Sequence, residues 1–348
     1  MDAMERWPRA DEVEFGDKRF NLNSHLLAVA CMERGLEPRW IGRALFTVKV
    51  GNSHHGFFIT DTPATNRVAA RLARRKDLSM PLLGSAGLSI AESQTFGTTD
   101  IDKAARFAAS LGGPVVVKPT DGNKGRDVAV GLLPGDAFRA AFVQATRRGK
   151  PAIVERQQLN ATEVRVLVVS GRSVAAYLKR PPSVTGDGAS TVGELVAAKN
   201  RQRQLIPSTQ TKLIKITPHR LWRLRKAGLS EDSVLAHGEQ LAIDDMSSIS
   251  SGGDSVDVTD YLHRSYGELS VQAAALTGDL RPAGIDLLVS DLAAPATPKN
   301  HIIVEINCTP SIGSHSFPVE GQRRDVAPLL VDEALEAISP RRRWFSWR

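Results

Sequence analysis

Three oxygen-bearing side chains on two apolar segments could hold a divalent cation. Glu305 and Asn307 lie two residues apart in HIIVEIN, so on a strand both point to the same face. Asp286 interrupts a second apolar segment, GIDLLV. Carboxylate and amide oxygens are ligands that Mg²⁺ prefers, and buried carboxylates are costly unless paired or metal-bound. Taken alone, the pattern is equally consistent with polar residues on the solvent side of two strands.

A loop rich in glycine and basic residues could bind a polyanion. It follows the apolar segment PVVVKP, which contains Lys118. Its members are Asp121, Gly122, Asn123, Lys124, Gly125 and Arg126. The glycines would let backbone N–H groups approach phosphates, and the basic side chains add positive charge. The loop matches neither the Walker A pattern nor G-x-G-x-x-G, and a plain surface hairpin is the alternative.

Two glutamates could contact a nucleoside. Glu155 follows the apolar segment AIV, and Glu163 lies eight residues further along. A segment after a buried strand can present backbone groups to a purine edge, and a carboxylate can hold ribose hydroxyls. Glutamates after strands are common, so this pattern alone is weak.

The elements that must position these residues alternate between helix and strand. Apolar spacing and capping residues predict helices over 21–36, 65–83, 101–112, 134–149, 191–200 and 266–278. Runs rich in β-branched residues predict strands over 44–50, 56–60, 114–119, 128–132, 151–157, 284–291 and 301–307, with two more within 163–182. The alternation predicts an α/β fold rather than a bundle or sandwich.

Composition excludes several classes of protein. The 348 residues are 42% hydrophobic and 24% charged, which excludes wholesale disorder and collagen-like repetition. No run approaches the roughly 18 apolar residues of a membrane span, and the N-terminal residues are acidic where a signal peptide is basic. Only Cys31 and Cys308 occur, which fits a reducing compartment. We therefore expect a soluble cytoplasmic protein without a membrane partner.

The net charge of +7 is concentrated at one end. The final segment RRRWFSWR holds four arginines, which leaves 7 − 4 = +3 on the rest. Such a tail could touch a membrane, RNA or an acidic partner, but a solvated extension is the preferred interpretation. We do not expect a nucleic-acid partner.

The order of these features resembles the ATP-grasp ligases. A lysine strand, glycine loop, hinge glutamate, arginine strand, aspartate and Glu-x-Asn follow one another between residues 76 and 335. The chain resembles most closely the ATP-grasp part of cyanophycin synthetases and of bifunctional glutamate–cysteine ligase/glutathione synthetases. The phrases that carry this likeness include PVVVKPTDGNKGRDV, SSISSGGDSVDVTD, AGIDLLVSD and VEINCTPSIGSHSFPVEG.

The resemblance implies an ATP-grasp fold with a small N-terminal pre-grasp α/β domain over 1–75. The ATP-grasp domain would span 76–338, with an ATP-lid subdomain over 76–155 and a C-terminal subdomain carrying the magnesium site over 156–338. Residues 339–348 would form the basic-aromatic tail. The additional modules of the two resembled enzymes do not fit in 348 residues, so we expect a stand-alone ligase.

The implied activity is ATP- and Mg²⁺-dependent ligation of a carboxylate to an amine through an acylphosphate, releasing ADP and phosphate. Two Mg²⁺ ions are expected, with Mn²⁺ as an alternative, and the substrates would be amino acids. A γ-glutamyl dipeptide ligase is the preferred form. The alternatives are glutathione synthetase-like ligation of a γ-glutamyl dipeptide, cyanophycin-type or ribosomal-peptide-modifying ligation, and a non-catalytic ATP- or RNA-binding regulator. A homo-oligomer is compatible with the relatives.

The resemblance also assigns roles to single residues. Arg165 and Arg180 would bear substrate and transition-state charge. The substrate side would be formed by Ser251, Gly252, Gly253 and His315. The metal ligands would be Asp286, Glu305 and Asn307. ATP would be bound by Lys76, Lys118, Glu155, Glu163 and the loop from Asp121 to Arg126.

Overall fold

The computed structural model describes residues 19–120, 127–158 and 160–339. The helices are α1 Leu22–Met32, α2 Arg67–Ala73, α3 Lys76–Ser85, α4 Ile101–Ser110, α5 Asp136–Thr146, α6 Val192–Gln204, α7 Pro218–Lys226, α8 Arg264–Leu276, α9 Gly313–Ser316 and α10 Ala327–Ile338. The strands are β1 Arg39–Gly42, β2 Leu45–Val50, β3 Ser53–Phe58, β4 Ser93–Phe96, β5 Val115–Pro119, β6 Ala129–Leu132, β7 Ala152–Arg156, β8 Thr162–Val169, β9 Arg172–Arg180, β10 Ser183–Thr185, β11 Gln240–Ala242, β12 Asp254–Asp257, β13 Ala283–Val289 and β14 His301–Asn307. The expected α/β class is confirmed.

A five-stranded antiparallel sheet in the order β12-β9-β8-β13-β14 carries most of the predicted chemistry. Its strands are largely apolar on one face, where Val164, Val166, Ile285 and Leu287 form a core with α8. Burial of these β-branched and aliphatic side chains stabilises the packing of the sheet on α8. Fully burying one such side chain contributes about 1.5–3 kcal/mol.

The opposite face of this sheet is divided between apolar and polar residues. At one end, Leu167, Val169 and Ala175 pack against α1 and α10 in a core shared with the three-stranded sheet β1-β2-β3. At the other end the same face carries charged side chains. Helices α1 and α10 and the three-stranded sheet therefore cover the apolar half of this face. The boundary expected near residue 75 stays a prediction.

A separate four-stranded sheet in the order β4-β7-β5-β6 presents Lys118 and Glu155. Helices α4 and α5 cover one of its faces, with Phe138 and Phe142 fully buried between them and the strands. The loop expected to cover ATP, residues 121–126, joins β5 to β6 and lies outside the described residues, as do 340–348 of the expected basic tail.

The helix predicted over 65–83 is two helices, α2 and α3. The helical conformation is interrupted at Arg75, whose backbone is not helical (φ −99°, ψ 83°). The Lys76 amide donates instead to the carbonyl of Thr120 at 3.3 Å. This tertiary bond joins the start of α3 to the end of β5, which amphipathic spacing alone does not reveal. Within the described ranges, no helix is long and apolar enough to cross a bilayer.

Candidate active site

Five polar side chains form one cross-strand row on the polar half of the five-stranded sheet. Direct strand partners place Glu305 opposite Asp286, Asp286 opposite Arg165, Arg165 opposite Tyr177, and Tyr177 opposite Asp257. Because side chains alternate along a strand, direct partners share one face. The row thus crosses all five strands, from the carboxylates of Glu305 and Asp286 through the guanidinium of Arg165 and the phenol of Tyr177 to the carboxylate of Asp257.

A β-bulge brings Glu305 into this row. Leu287 pairs with Ile303 and Asp286 pairs with Glu305, so β14 has one extra residue between these two pairs. A bulge re-aims the side chains that follow it. Ile303 consequently enters the apolar core while Glu305 points to the polar face. Asn307 lies on the same face, as the sequence predicts.

A second row beside the first contributes Glu163, Lys179 and Ser255, which are direct partners across β8, β9 and β12. The Lys179 Nζ donates to Glu163 Oε1 at 2.7 Å and to Asp286 Oδ2 at 2.8 Å. The Arg165 Nη2 donates to Asp286 Oδ2 at 2.7 Å, and its Nε donates to Oδ1. Four buried charges therefore form one connected network.

The surroundings keep Asp286 and Arg165 ionised and act in the opposite direction on Glu163. Burial would raise the pKa of Asp286, but Arg165 and Lys179 together lower it well below its usual range. Burial also opposes the charge on Arg165, yet Asp286 keeps its pKa above the usual value. For Glu163 burial prevails and raises the pKa, with the nearby Asp286 acting in the same direction against Lys179.

Gly284 makes room for the guanidinium. A Cβ atom there would lie 3.0 Å from Arg165 Cδ and 2.8 Å from the Cβ of Pro310. Glycine inside a strand usually marks such a close approach. The bidentate pair between Arg165 and Asp286 therefore depends on the missing side chain at position 284.

The three predicted metal ligands lie together at one end of the row. Asn307 Nδ2 donates to Asp286 Oδ2 at 3.3 Å, and Glu305 is the direct partner of Asp286. Lys76 Nζ lies 3.4 Å from Glu305 Oε1, a loose ion pair. The candidate ligand set thus consists of two carboxylates and one amide. Within the described ranges no group of three His, Cys, Asp or Glu side chains is arranged to hold a metal ion. These hard oxygen donors fit Mg²⁺, which retains waters and phosphate oxygens as its other ligands.

A cleft lies between α3 and the four-stranded sheet, and Lys76, which contacts Glu305, lines it. It is lined by Lys76 and Met80 of α3 and by Lys118, Ile153 and Glu155. Lys118 Nζ lies 2.6 Å from Glu155 Oε2, and both side chains are largely buried. The cleft offers an apolar wall beside two lysines, which suits a base carrying phosphates.

The segment Ser251-Gly252-Gly253 lies at the junction with the small unit formed by β10, β11, α6 and α7. Gly252 adopts φ +103° and lies against Ile214, where a Cβ would come within 3.0 Å of backbone. The next residue, Asp254, is buried and binds Arg203 and Lys199, the latter at 2.6 Å. The structure thus places this segment beside β12 and not inside the charged network.

Two predicted residues occupy different surroundings. His315 is fully buried, with its ring in edge contact with Tyr177 at 4.6 Å, so it adjoins the row. Burial and the nearby Arg165 lower the pKa of His315 to about 3. Arg180 binds Glu320 at 2.5 Å on the partly exposed outer side of β9, and the structure does not bring it to the network.

Lys179 is the residue that the sequence reasoning missed. It precedes Arg180 directly, and alternation along β9 sends the two side chains to opposite faces. The available signal was its spacing of two from Tyr177 in the segment YLK, in register with the polar positions Glu163 and Arg165. Choosing between adjacent basic residues required the strand pairing.

The chain, an α/β structure built on antiparallel sheets, has the ATP-grasp fold. The crystal structure of a bifunctional glutathione synthetase from Pasteurella multocida matches it with a TM-score of 0.67 and 27% identity, over 92% of this chain and 45% of that chain. No family model matches the sequence.

The chain is homologous to two kinds of synthetase. A glutathione biosynthesis bifunctional protein from Mannheimia succiniciproducens is 33% identical over 286 residues, which cover 80% of this chain and 36% of the relative. A cyanophycin synthetase from a Nostoc species is 30% identical over 295 residues, covering 83% and 32%. The chain therefore spans well under half the length of these curated relatives. The predicted resemblance is confirmed.

Proposed function

We propose that this chain is an ATP- and Mg²⁺-dependent carboxylate–amine ligase that joins amino acids through an acylphosphate and releases ADP and phosphate. The observation that carries the proposal is the unbroken row from Glu305 through Asp286 to Arg165, next to the lysine-lined cleft. Homology to synthetases over most of the chain supports it.

Charge balance explains how the site could take up a nucleotide. Four cations, Lys76, Lys118, Arg165 and Lys179, pair with four carboxylates, Glu155, Glu163, Asp286 and Glu305, so their sum is 4 − 4 = 0. A polyphosphate can draw the lysines away from their carboxylates, which frees carboxylate oxygens for a metal. Lys76 is best placed to exchange partners, because its 3.4 Å contact with Glu305 is the longest of these pairs.

The proposed chemistry requires positioning and charge neutralisation rather than a protein nucleophile. Arg165, fixed by Asp286, would face the acyl phosphate oxygens as charge develops. Lys76 and Lys118 would hold phosphates, while Met80 and Ile153 exclude water from the adjoining wall. Asp286, Glu305 and Asn307 would hold Mg²⁺, which when bound screens the charge between the phosphates and the incoming carboxylate.

We propose glutamate as the acyl donor, activated at its γ-carboxylate, with a second amino acid as the amine. The likeness of SSISSGGDSVDVTD to the glutathione-type relatives supports this donor. A second form is glutathione synthetase-like ligation of a γ-glutamyl dipeptide, favoured by the match over 92% of the chain to a bifunctional glutathione synthetase. The mass of the product separates these two reactions.

The test is ADP release in the presence of Mg²⁺ and ATP, with single amino acids, pairs of amino acids and γ-glutamyl dipeptides, and with product masses read from the same samples. The proposal expects ADP release that requires a carboxylate and an amine together, with a product mass equal to their sum less water. ADP release that does not depend on the carboxylate or the amine would contradict the proposal. ATP binding without turnover of any substrate in the panel would also contradict it.

A further inference from the structure

A group of buried polar side chains on α9 and on the neighbouring strand β12 lacks hydrogen-bond partners. Ser255 Oγ, Ser314 Oγ, Ser316 Oγ and both ring nitrogens of His315 are buried and make no hydrogen bond within the part of the chain that the structure describes. Native proteins pair about nine-tenths of their buried polar groups, so several orphaned ones in one place point to a ligand. These four residues are called the hydroxyl–imidazole cluster below.

The cluster adjoins the polar face of the five-stranded sheet. Ser255 is the direct partner of Lys179, and Tyr177, which the His315 ring touches, is the direct partner of Arg165. The positive charge of Arg165 also acts on the His315 imidazole, so the two side chains lie near each other. A ligand held by the cluster would therefore reach Arg165 with a chain of a few carbon atoms.

The charges around the cluster favour a cation over an anion. The basic groups near it are already matched: Arg165 and Lys179 bind Asp286, and Arg324 binds Asp257 and, at 2.7 Å, Asp260. Within the cluster itself a buried carboxylate would thus contact only hydroxyl groups and an imidazole, whereas Arg165 lies beside the cluster. An ammonium group needs three acceptors and would find hydroxyl oxygens, an imidazole nitrogen and the nearby carboxylate of Asp257.

The protonation of His315 agrees with this choice. Burial and the positive charge of Arg165 lower its pKa to about 3, against a smaller opposing effect of Asp257. The imidazole is therefore neutral at physiological pH and keeps one nitrogen lone pair as an acceptor. A charged imidazolium would repel an ammonium group and could accept no hydrogen bond.

We propose that the hydroxyl–imidazole cluster binds the primary ammonium group of the amino-acid acyl donor, an assignment that rests on the proposed ligase function. For glutamate, the γ-carboxylate would lie at Arg165 while the unreactive α-ammonium lies between Ser255 and His315. Two methylene groups join these ends of glutamate, so a donor of this length would reach from the cluster to Arg165. The cluster would then select donors that carry an amino group at this distance from the reacting carboxylate.

The experiment compares L-glutamate with glutarate, which has the same two carboxylates and no amino group. Hydroxylamine serves as the amine, so that acyl activation is read as ADP and hydroxamate without knowing the natural acceptor. We expect a KM for glutamate at least about tenfold below that for glutarate in the wild type. Ser255→Ala and His315→Phe should each raise the KM for glutamate about tenfold more than the KM for glutarate, so that the preference for glutamate is lost. Ser110→Ala, an exposed serine at the end of α4, is the control.

Calorimetric titration of both acids in the presence of a non-hydrolysable ATP analogue gives a readout independent of turnover. Equal affinity of the wild type for glutamate and glutarate, or equal weakening of both acids by Ser255→Ala, would overturn the assignment while leaving a carboxylate ligase standing. Absence of ADP release with every acid would instead refute the proposed function. In that case a retained preference for glutamate in the titration, lost in the variants, would still support the subsite.

Discussion

Lys179 and Asp286 meet above β8, the strand that separates their own strands, with Lys179 Nζ donating to Asp286 Oδ2 at 2.8 Å. The same Nζ binds Glu163 of the intervening strand. One ammonium group therefore connects three strands at the centre of the polar face. The Asp286 carboxylate also accepts hydrogen bonds from Nε and Nη2 of Arg165. The candidate metal ligands and the arginine proposed to face the acyl phosphate therefore share one carboxylate.

Lys179 and Arg180 can be separated by paired substitutions. We expect Lys179→Met to lower kcat/KM by about 10²-fold or more, because it leaves Glu163 and Asp286 as neighbouring carboxylates without their shared cation. Arg180→Met should change kcat/KM less than about threefold, since Arg180 binds Glu320 near the surface. ADP-release kinetics on the two purified variants test this. A larger loss for Arg180→Met would restore the assignment that the sequence resemblance implies.

Removing the central carboxylate should destabilise the fold. Asp286→Asn leaves the buried Arg165 without its paired carboxylate and leaves Lys179 with Glu163 alone, and breaking a buried pair typically costs about 3–5 kcal/mol. Urea denaturation followed by circular dichroism measures the free energy of unfolding. Glu320→Gln, which breaks the exposed pair with Arg180, is the control and should change that free energy by less than about 1 kcal/mol. Equal stability of the two variants would argue against a tightly coupled network.

The small unit built from β10, β11, α6 and α7 should depend on Arg203. Its guanidinium is almost fully buried, binds Asp254, and donates to the carbonyls of Lys212 and Gly253 at 2.9 and 3.1 Å. We expect Arg203→Leu to lower the free energy of unfolding by about 3–5 kcal/mol and to increase hydrogen exchange in α6. The matched variant Arg223→Leu breaks a pair with the exposed Asp245 and should cost less than about 1 kcal/mol. Unchanged exchange in α6 on Arg203→Leu would contradict this anchoring role.

His315 should make stability fall in mild acid. Its pKa is about 3 in the folded chain against an ordinary value of 6.5, so between these values the unfolded chain binds the proton and the folded chain does not. The His315 contribution is therefore complete above about pH 6.5 and is lost as the pH falls toward 3, by up to about 1.4 kcal/mol per pH unit. The difference in unfolding free energy between wild type and His315→Gln, measured from pH 7 to 5, should shift by this slope below about pH 6. A difference independent of pH would contradict a buried neutral imidazole.

The sequence predicts the site better than it predicts how the site is assembled. Asp286, Glu305 and Asn307 follow from apolar strands interrupted by oxygen ligands, and Lys118 and Glu155 from their positions beside strands. The bulge that turns Glu305 onto the polar face is different, because it depends on pairing with β13. Long-range pairing also decides that Lys179 and not Arg180 joins the network.

Helix patterning has a similar limit. The amphipathic stretch over 65–83 gives no sign of the break at Arg75, since the Lys76 amide bonds to Thr120, a residue distant in sequence. Burial of His315 is likewise a tertiary property: the segment SHSF reads as an ordinary polar turn. Local spacing therefore predicts element types, and cross-strand contacts decide which side chains share the site.

Measurement of ADP release tests the proposed carboxylate–amine ligase activity directly. The assay contains Mg²⁺ and ATP with single amino acids or their pairs, and product masses are determined in the same samples. The wild type is measured beside Asp286→Asn and Lys179→Met. We expect ADP release that requires glutamate and a second amino acid, a product with the mass of the pair less water, and loss of both signals in the variants. ATP binding without ADP release across the whole panel, or ADP release that persists in Asp286→Asn, would contradict this expectation.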